Sequence, residues 1–345
     1  MSYTVLARKY RPQKFSEVIG QEHVTRTLQN AIEQGRTAHG YIFSGHRGIG
    51  KTTVARILAA ALNCRSGLPT QDHPVPEPCG ICESCIEIRA GNAVDVIEID
   101  AATNRGIDEI RELREGARYR PARDRFKIYI LDEAHQITDA AFNALLKTLE
   151  EPPDHIVFML ATTQPEDIPQ TIRSRCLQFH FAPVAVEQIE NFLAERSDQK
   201  PPERKLAAQL ASGSPGMALA LNLEESARLR RTVLSLLEKT INGGKTAELF
   251  TATAQLAKQE KESFENILTL FYSQLTDLLE LSQGPKSRFA RNPDLHRELE
   301  ALSRKIDFAW VSRATQGLDR LESRLKRNIS RQLGLDALLL SLGNR

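Results

Sequence analysis

Residues 40–52 read GYIFSGHRGIGKT, and this stretch decides the fold. Its first five residues predict a buried strand, and the segment that follows, TTVARILAAALN at residues 52–63, predicts a helix. Between them, GHRGIGKT has the spacing of a phosphate-binding loop, in which glycines let backbone N–H groups turn inward around a polyphosphate. The sequence therefore predicts a P-loop ATPase.

Short apolar runs that are rich in β-branched residues recur along the first half of the chain. Three of them predict buried parallel strands, at residues 94–99, 127–131 and 156–161. Helical patterns alternate with them, at residues 22–34, 107–117 and 139–149. Alternating strands and helices are typical of a doubly wound sheet, so we expect one α/β domain over residues 1–182.

The strand pattern stops after Ala182 and Pro183, and the remaining sequence is helical in pattern with glycine and proline breaks. These breaks fall at residues 200–202, 213–216, 243–244 and 284–285. They indicate a small helical domain, residues 183–225, followed by a larger one, residues 226–345. Two apolar stripes predict helix packing in the larger domain: Phe264, Ile267, Leu268, Phe271, Leu275, Leu278 and Leu279, and then Leu318, Leu321, Leu325, Ile329 and Leu333.

The composition suits a soluble protein of two or three domains, with 345 residues, 41% of them hydrophobic and 26% charged. A formal net charge of +2 excludes a strongly cationic, histone-like body, so any contact with DNA must be local. No apolar run reaches membrane-spanning length, and the N-terminus lacks the apolar stretch of a secretory signal. We therefore expect a cytoplasmic protein without membrane contact, whose five cysteines are reduced.

The residue types of the phosphate loop point to ATP with Mg²⁺ as the ligand. Lys51 can reach the β- and γ-phosphates, and the hydroxyl of Thr52 can bind the metal. A complete loop between a strand and a helix is a specific pattern. The residues predicted to contact the nucleotide here are Gly45, His46, Arg47, Gly48, Ile49, Gly50, Lys51, Thr52 and Thr53.

A carboxylate for the same metal follows the predicted strand at residues 127–131, where the chain reads Asp132-Glu133-Ala134-His135. Ligands of open α/β sheets bind at the carboxyl ends of strands, which brings Asp132 beside the phosphate loop. Asp132 is then expected to hold Mg²⁺, and Glu133 to orient or deprotonate the attacking water. The alternative is an ordinary acidic turn after a strand.

Four cysteines form a second candidate metal site. Cys79, Cys82 and Cys85 lie in CGICESC, and Cys64 ends the helix that follows the phosphate loop. Four thiolates suffice for a tetrahedral zinc ion without an open position, so residues 64–85 predict a structural zinc-binding insert. Redox-active or free thiols are the alternative, because a Cys-x-x-Cys pair can also exchange disulfides.

Taken together, the motifs resemble those of the bacterial DNA polymerase III clamp loader subunits, which are AAA+ proteins. The resemblance rests on ARKYRPQKFSEVIGQEHV, GHRGIGKT, the cysteine cluster, ILDEAH, LATT and SRC, in the order of the family. The resemblance is to the gamma/tau subunit, and it covers residues 2 to about 181. It implies an AAA+ ATP-binding domain with a parallel sheet, followed by a small helical lid and an all-α collar.

The resemblance also implies roles that the residue types alone do not give. Thr163 matches the first sensor, a polar group near the γ-phosphate. Arg175, by residue type a solvated surface arginine, matches the arginine finger that enters the ATP site of a neighbouring subunit. The N-terminal segment, otherwise a loose basic arm, matches the region that holds the adenine ring, through Ala7, Arg8, Tyr10, Arg11, Pro12, Val18 and Ile19.

The second half of the chain departs from gamma/tau. Gly216 stands where the lid of that subunit carries an arginine that senses the γ-phosphate, and the lid and the helices after it resemble the delta prime subunit instead. The collar of the family assembles subunits into a five-membered ring. The partners implied are therefore the other clamp loader subunits, the sliding clamp and primed DNA.

Two functions follow from these features. The first is an ATP-hydrolysing subunit of the clamp loader, which helps to load the sliding clamp onto primed DNA and does not itself polymerise DNA. The second is a delta-prime-like stator, which donates Arg175 as a finger and hydrolyses little or no ATP. An RNA helicase, suggested by Asp132 to His135, is excluded because no second RecA-like domain follows.

Overall fold

A parallel sheet of five strands carries the phosphate loop in the computed structural model of the chain, with the strand order β2-β3-β4-β1-β5. The strands are Gly40–Ser44 (β1), Val96–Asp100 (β2), Lys127–Asp132 (β3), Ile156–Thr162 (β4) and Leu177–His180 (β5). β1 and β4 are buried along their whole length, which agrees with the apolar runs that predicted them.

The structure describes residues 10–66, 74–103, 106–244, 246–258, 261–283, 291–325 and 329–343. The chain divides into two compact units, Met1–Ala220 and Leu221–Arg345. No described helix combines the length and the apolar character needed to cross a membrane.

Helices cover both faces of the sheet, because side chains alternate between the faces along each strand. Tyr41 and Phe43 pack on one face with α1 (Glu22–Glu33), α2 (Lys51–Asn63) and α3 (Glu83–Ala90). Ile42 and Tyr129 pack on the other face with α4 (Ile107–Gly116), α5 (Asp139–Glu150) and α6 (Gln170–Arg173). This three-layer arrangement, with the phosphate loop after β1, is the α/β P-loop domain with a parallel sheet that the sequence predicted.

The edge strand β5 was missed by the sequence analysis. It has only four residues, Leu177–His180, and Phe179 is the most buried of them, at an intermediate level. A short strand that pairs on one side only carries too little hydrophobic pattern to be distinguished from a loop. Its pairing with β1 therefore becomes visible only in the folded sheet.

Three short helices complete the first unit: α7 (Val186–Arg196), α8 (Pro201–Leu210) and α9 (Pro215–Ala220). They pack against one another and bury Ile189, Leu193 and Ala207. Pro201 and Pro215 occupy the first residue of α8 and of α9, a position where the missing N–H of proline costs no hydrogen bond. The breaks that the sequence showed at these prolines are therefore helix starts.

The described part of the second unit is helical and packs around an apolar core. Its helices are α10 (Leu223–Asn242), α11 (Thr246–Ala257), α12 (Lys261–Ser282), α13 (His296–Ser303), α14 (Phe308–Leu325) and α15 (Arg331–Gly343). The predicted stripe that begins at Phe264 lies on α12 and is buried through Leu278, with Leu279 packed at the edge of the core. The predicted break at residues 284–285 lies outside the described residues.

The second predicted stripe was only half right. Leu318 and Leu321 are buried in the core, but α14 ends at Leu325. Ile329 and Leu333 are 42% and 67% exposed, because a separate helix, α15, begins at residue 331 and turns other leucines inward. When apolar residues continue at helical spacing beyond the end of a helix, the sequence pattern does not show where that helix ends.

The buried carboxylate of Asp95 ties the loop before β3 to the start of β2. Its two oxygens accept the backbone N–H groups of Ala122, Arg123 and Asp124, at 2.7, 2.8 and 2.8 Å. Burial raises the pKa of this carboxyl, but the three N–H donors together outweigh burial, so the pKa lies below its ordinary value.

We expect Asp95→Asn to lower the free energy of unfolding of the first unit by about 1–3 kcal/mol at pH 7, because an amide cannot satisfy all three donors. The folded-state pKa is depressed, so this stabilisation is present above about pH 4 and is lost as the pH falls further. Urea denaturation between pH 3 and 7 measures both effects. Asp154→Asn, at an exposed position, is the control; a difference between Asp95→Asn and wild type that did not change with pH would contradict this account.

Candidate nucleotide-binding site

The phosphate loop is shaped by glycines in a backbone conformation that other residues rarely adopt. φ is +147° at Gly45, +75° at Gly48 and +114° at Gly50, which caps the N-terminus of α2. A side chain would also collide with neighbouring atoms at two of these positions: a Cβ on Gly45 would lie 2.9 Å from the carbonyl oxygen of Phe181, and one on Gly48 would lie 2.6 Å from the hydroxyl of Ser214. Gly45 and Gly48, which the motif requires, are therefore also required by the packing.

The ammonium group of Lys51 lies inside the loop. Its Nζ donates to the carbonyl oxygens of Gly45 and His46, at 2.7 and 2.9 Å, and the residue is 5% exposed. Burial lowers the pKa of Lys51, and the nearby carboxylates of Glu133 and Asp132 partly oppose that shift. The lysine is thus held by loop carbonyls at the position from which it would contact phosphate.

Two predicted metal ligands come together from different elements. Thr52 is the second residue of α2 and Asp132 the last residue of β3, and the Thr52 hydroxyl donates to Asp132 Oδ2 at 2.8 Å. A hydroxyl and a carboxylate are oxygen ligands of the kind that Mg²⁺ accepts. The donor set therefore fits the metal that accompanies a nucleotide.

Glu133 follows directly and has a strained backbone, with φ +48° and ψ +44° in the left-handed region. Its carboxylate lies 3.6 Å from Nδ1 of His135. The same ring nitrogen lies 3.2 Å from the hydroxyl of Thr162, the last residue of β4. Glu133 therefore lies next to His135, and His135 in turn contacts the end of the neighbouring strand β4.

His135 and Thr162 were not among the site residues that the sequence predicted. Thr162 is fully buried, and its hydroxyl also accepts the N–H of Gln164 at 3.0 Å. Thr163, which was predicted as the sensor, lies one residue beyond β4 and is half-buried. Thr162 and Thr163 are adjacent at the end of the same apolar run, and no local pattern tells which of their hydroxyls meets His135.

Part of the segment predicted to hold adenine is fixed by contacts with other residues of the first unit. Arg196 of α7 donates to the carbonyl oxygen of Tyr10 at 3.0 Å, and Phe15 is 2% exposed in the core. Further residues of the segment lie against the AAA+ domain: Arg11 and Pro12 line a narrow cleft beside α2 and α3, Val18 packs on the core, and Ile19 is half-buried. Ala7 and Arg8 lie outside the described residues.

Arg175 and the phosphate loop lie at opposite ends of the strands: Arg175 at the N-terminal ends and the loop at the carboxyl ends. It precedes β5 and sits beside Gly40, the first residue of β1, whereas the loop follows the last residue of β1. At about 3.3 Å per residue, the length of β1 separates them by more than about 13 Å. The guanidinium donates to Glu150 Oε1 at 2.7 Å and to the carbonyl oxygen of Thr171 at 2.6 Å. Arg175 therefore cannot reach the loop of its own chain.

The four clustered cysteines form a compact set of thiols. The Sγ atoms of Cys64, Cys79, Cys82 and Cys85 all lie within 4.8 Å of one another. Tetrahedral zinc, with Zn–S bonds of about 2.3 Å, requires sulfur atoms about 3.8 Å apart, so a small contraction suffices. The cluster is compatible with zinc.

Hydrogen bonds favour a thiolate at Cys64, while the hydrogen bond that Cys85 shares with Cys64 raises the pKa of the Cys85 thiol. The backbone N–H groups of Cys82 and Ile81 donate to the sulfur of Cys79 at 3.2 and 3.4 Å, and that of Cys79 donates to the sulfur of Cys64 at 3.4 Å. The hydrogen bond from Cys85 is the main cause that lowers the pKa of Cys64, to about 4. Cys176, by contrast, is buried elsewhere, and burial raises its pKa to about 12.

The two family models that match the chain are described as DNA polymerase III, delta subunit, over residues 20–185, and DNA polymerase III, delta subunit, C terminal, over residues 224–343. The tau subunit of Escherichia coli (strain K12) is 50% identical over 226 residues, which cover 64% of this chain and 34% of that protein. The tau subunit of Bacillus subtilis (strain 168) is 40% identical over 290 residues, which cover 83% of this chain and 49% of that protein.

A DNA polymerase III gamma subunit from Buchnera aphidicola is 43% identical over 256 residues, covering 72% of this chain and 66% of that protein. The chain thus spans about one third to two thirds of the length of these relatives. A solved structure of a gamma subunit-related protein from Thermotoga maritima has a TM-score of 0.40 at 19% identity, covering 93% and 99% of the two chains. That structural similarity is too low to bear on function.

Proposed function

Because this chain belongs to the family of DNA polymerase III clamp loader subunits, we propose that it binds and hydrolyses ATP as one subunit of a ring that loads the sliding clamp onto primed DNA. The observation that carries this proposal is the convergence of Lys51, Thr52 and Asp132 around the phosphate loop. It would be an ATPase of the replication machinery and not a polymerase.

Each side chain has a specific task in this proposal. Lys51 neutralises the β- and γ-phosphates, and Thr52 with Asp132 holds Mg²⁺, which supplies positive charge against the phosphate oxygens. Glu133 orients the attacking water and accepts its proton. Thr163 is the sensor near the γ-phosphate, and the buried Thr162 connects this strand end to His135.

We further propose three domains and their roles. Residues 1–182 form the ATP-binding domain, with adenine held by its N-terminal segment, residues 183–225 form the lid, and residues 226–345 form the collar that joins subunits into a five-membered ring. The other clamp loader subunits, the sliding clamp and primed DNA are the proposed partners, in the cytoplasm.

A stator that does not hydrolyse ATP is less well supported. Its main argument in the sequence is Gly216 at the lid position of the charged sensor. The related tau and gamma subunits and the complete set of phosphate-loop and acidic residues favour the hydrolysing subunit instead.

We propose a structural zinc ion for the four cysteines, because all four positions of a tetrahedral site would be filled by thiolates. The ion would join the end of α2 to the start of α3, since Cys64 follows α2 and Cys82 precedes α3. No position would remain for a substrate.

Lys51→Ala is expected to weaken binding of Mg-ATP by about 10- to 100-fold, since a charged hydrogen-bond donor to phosphate is lost. Isothermal titration of the isolated chain measures the effect. Lys147→Ala removes an exposed lysine from α5 and should bind like wild type. Equal isotherms for Lys51→Ala and wild type, or no binding by either, would refute ATP binding at this loop.

Arg175→Ala should leave ATP binding by the chain unchanged and reduce ATP turnover by the assembled ring, by about 10³-fold or more at the neighbouring site that the arginine completes. The isolated chain should hydrolyse ATP slowly with or without Arg175, because this arginine faces away from its own loop. Arg173→Ala is the matched control. Full ring activity with Arg175→Ala would rule out a role as a finger.

Elemental analysis of chain purified without chelator should give one zinc per chain. Cys82→Ser should lower the zinc content and the melting temperature, because a tetrahedral site loses one of its four ligands. Cys176→Ser should retain the metal, since Cys176 lies outside the cluster. Wild-type protein without zinc would disprove the site.

A further inference from the structure

The N-terminus of the lid helix α9 lies directly on the phosphate loop. The hydroxyl of Ser214 donates to the carbonyl oxygen of Arg47 at 3.0 Å, and the N–H of Gly216 donates to the carbonyl oxygen of Gly48 at 3.2 Å. Ser214 is 2% exposed, so water does not compete for its hydrogen bond. Two consecutive carbonyl groups of the loop are therefore held by the lid.

These two contacts determine the direction of two N–H groups. The Arg47 carbonyl shares a peptide group with the N–H of Gly48, and the Gly48 carbonyl shares one with the N–H of Ile49. No described peptide bond is cis, and in a trans peptide the C=O and the N–H point in opposite directions. When the lid holds the carbonyls, both N–H groups point away from it, and inward-turned N–H groups are what a P-loop uses to bind phosphate.

Neither Gly48 nor Gly216 has room for a side chain at this contact. A Cβ on Gly216 would lie 2.9 Å from the Gly48 carbonyl oxygen, and one on Gly48 would lie 2.6 Å from Ser214 Oγ. Gly216 thus permits a backbone contact that any side chain would push apart. The Gly48 carbonyl of the loop lies where a side chain at residue 216 would begin. Position 216 is therefore not simply one that lacks an arginine.

We propose that Ser214 and Gly216 are positioning residues for the nucleotide, which couple the lid to the phosphate loop through two peptide groups instead of through a charged side chain. The inference rests on the proposed binding of ATP at this loop. Because the oriented N–H groups face the phosphates that ADP and ATP share, the coupling affects both nucleotides equally and does not detect the γ-phosphate.

Ser214→Ala tests the first contact. We expect the dissociation constants of ATP and of ADP to rise by the same factor, about three- to ten-fold, which corresponds to the loss of one buried hydrogen bond. Ser197→Ala is the matched control in the lid, because its hydroxyl donates to the Leu193 carbonyl at 2.8 Å and not to the loop. It should bind both nucleotides like wild type.

A spectroscopic measurement separates this role from general destabilisation. In the nucleotide-free chain, the amide ¹⁵N resonance of Gly48 should shift in Ser214→Ala and stay in place in Ser197→Ala, because the Gly48 nitrogen shares its peptide group with the Arg47 carbonyl. An unshifted Gly48 resonance in Ser214→Ala would overturn the contact.

Gly216→Arg distinguishes the two interpretations of this position by the sign of the effect. If Gly216 were only a missing sensor, restoring arginine would strengthen binding of ATP relative to ADP. If the backbone contact positions the loop, Gly216→Arg and Gly216→Ala both weaken ATP and ADP alike. Tighter and selective binding of ATP by Gly216→Arg would therefore reject the proposal.

Binding by wild type and by Lys51→Ala separates failure of this inference from failure of the proposed function. If wild type binds ATP, Lys51→Ala binds it more weakly, and Ser214→Ala binds like wild type, the positioning role alone is wrong. If wild type binds no nucleotide, the proposed function fails and the positioning role fails with it.

Discussion

The pairing of β4 with both β1 and β3 is the constraint on which the rest of the candidate site depends. Because the three strands are parallel and adjacent, the phosphate loop after β1 and the acidic pair after β3 emerge at the same edge of the sheet. Two strand spacings bring them within about 10 Å, and α2 crosses the gap. Thr52 and Asp132 can therefore share a hydrogen bond of 2.8 Å although 80 residues separate them along the chain.

The cysteine cluster lies at the far end of α2, next to the contact that ties this helix to the start of β3. Cys64 follows α2, which begins with Lys51, and the side chain of Asn63 pairs with both backbone polar groups of Phe126, just before β3. Since α2 has 13 residues, the cluster lies about 20 Å from the phosphate loop. A metal bound there would stabilise the frame that holds Lys51 and Asp132 and would take no part in the chemistry.

Geometry also explains why one chain would not complete its own site. Arg175 is held by Glu150 at the edge of the sheet opposite the phosphate loop, so a finger at this position can serve only another copy or another subunit. Ser214 and Gly216 contact the phosphate loop at the other end of the strands, through the carbonyls of Arg47 and Gly48. In the proposed function the two ends of the parallel sheet have different tasks, and a ring of subunits would bring them together.

By itself, the sequence determined the phosphate loop, four of the five strands, four of the helices around them and the cysteine set, because each is encoded in contiguous residues by spacing or periodicity. Only the tertiary structure decided the strand β5, the end of α14 at Leu325, the hydroxyl of Thr162 that meets His135, and the lid contact at Gly216. The strand, the hydroxyl and the lid contact depend on residues far apart in the chain, and such contacts leave no local pattern in the sequence. The end of α14 is hidden because apolar residues continue on both sides of it.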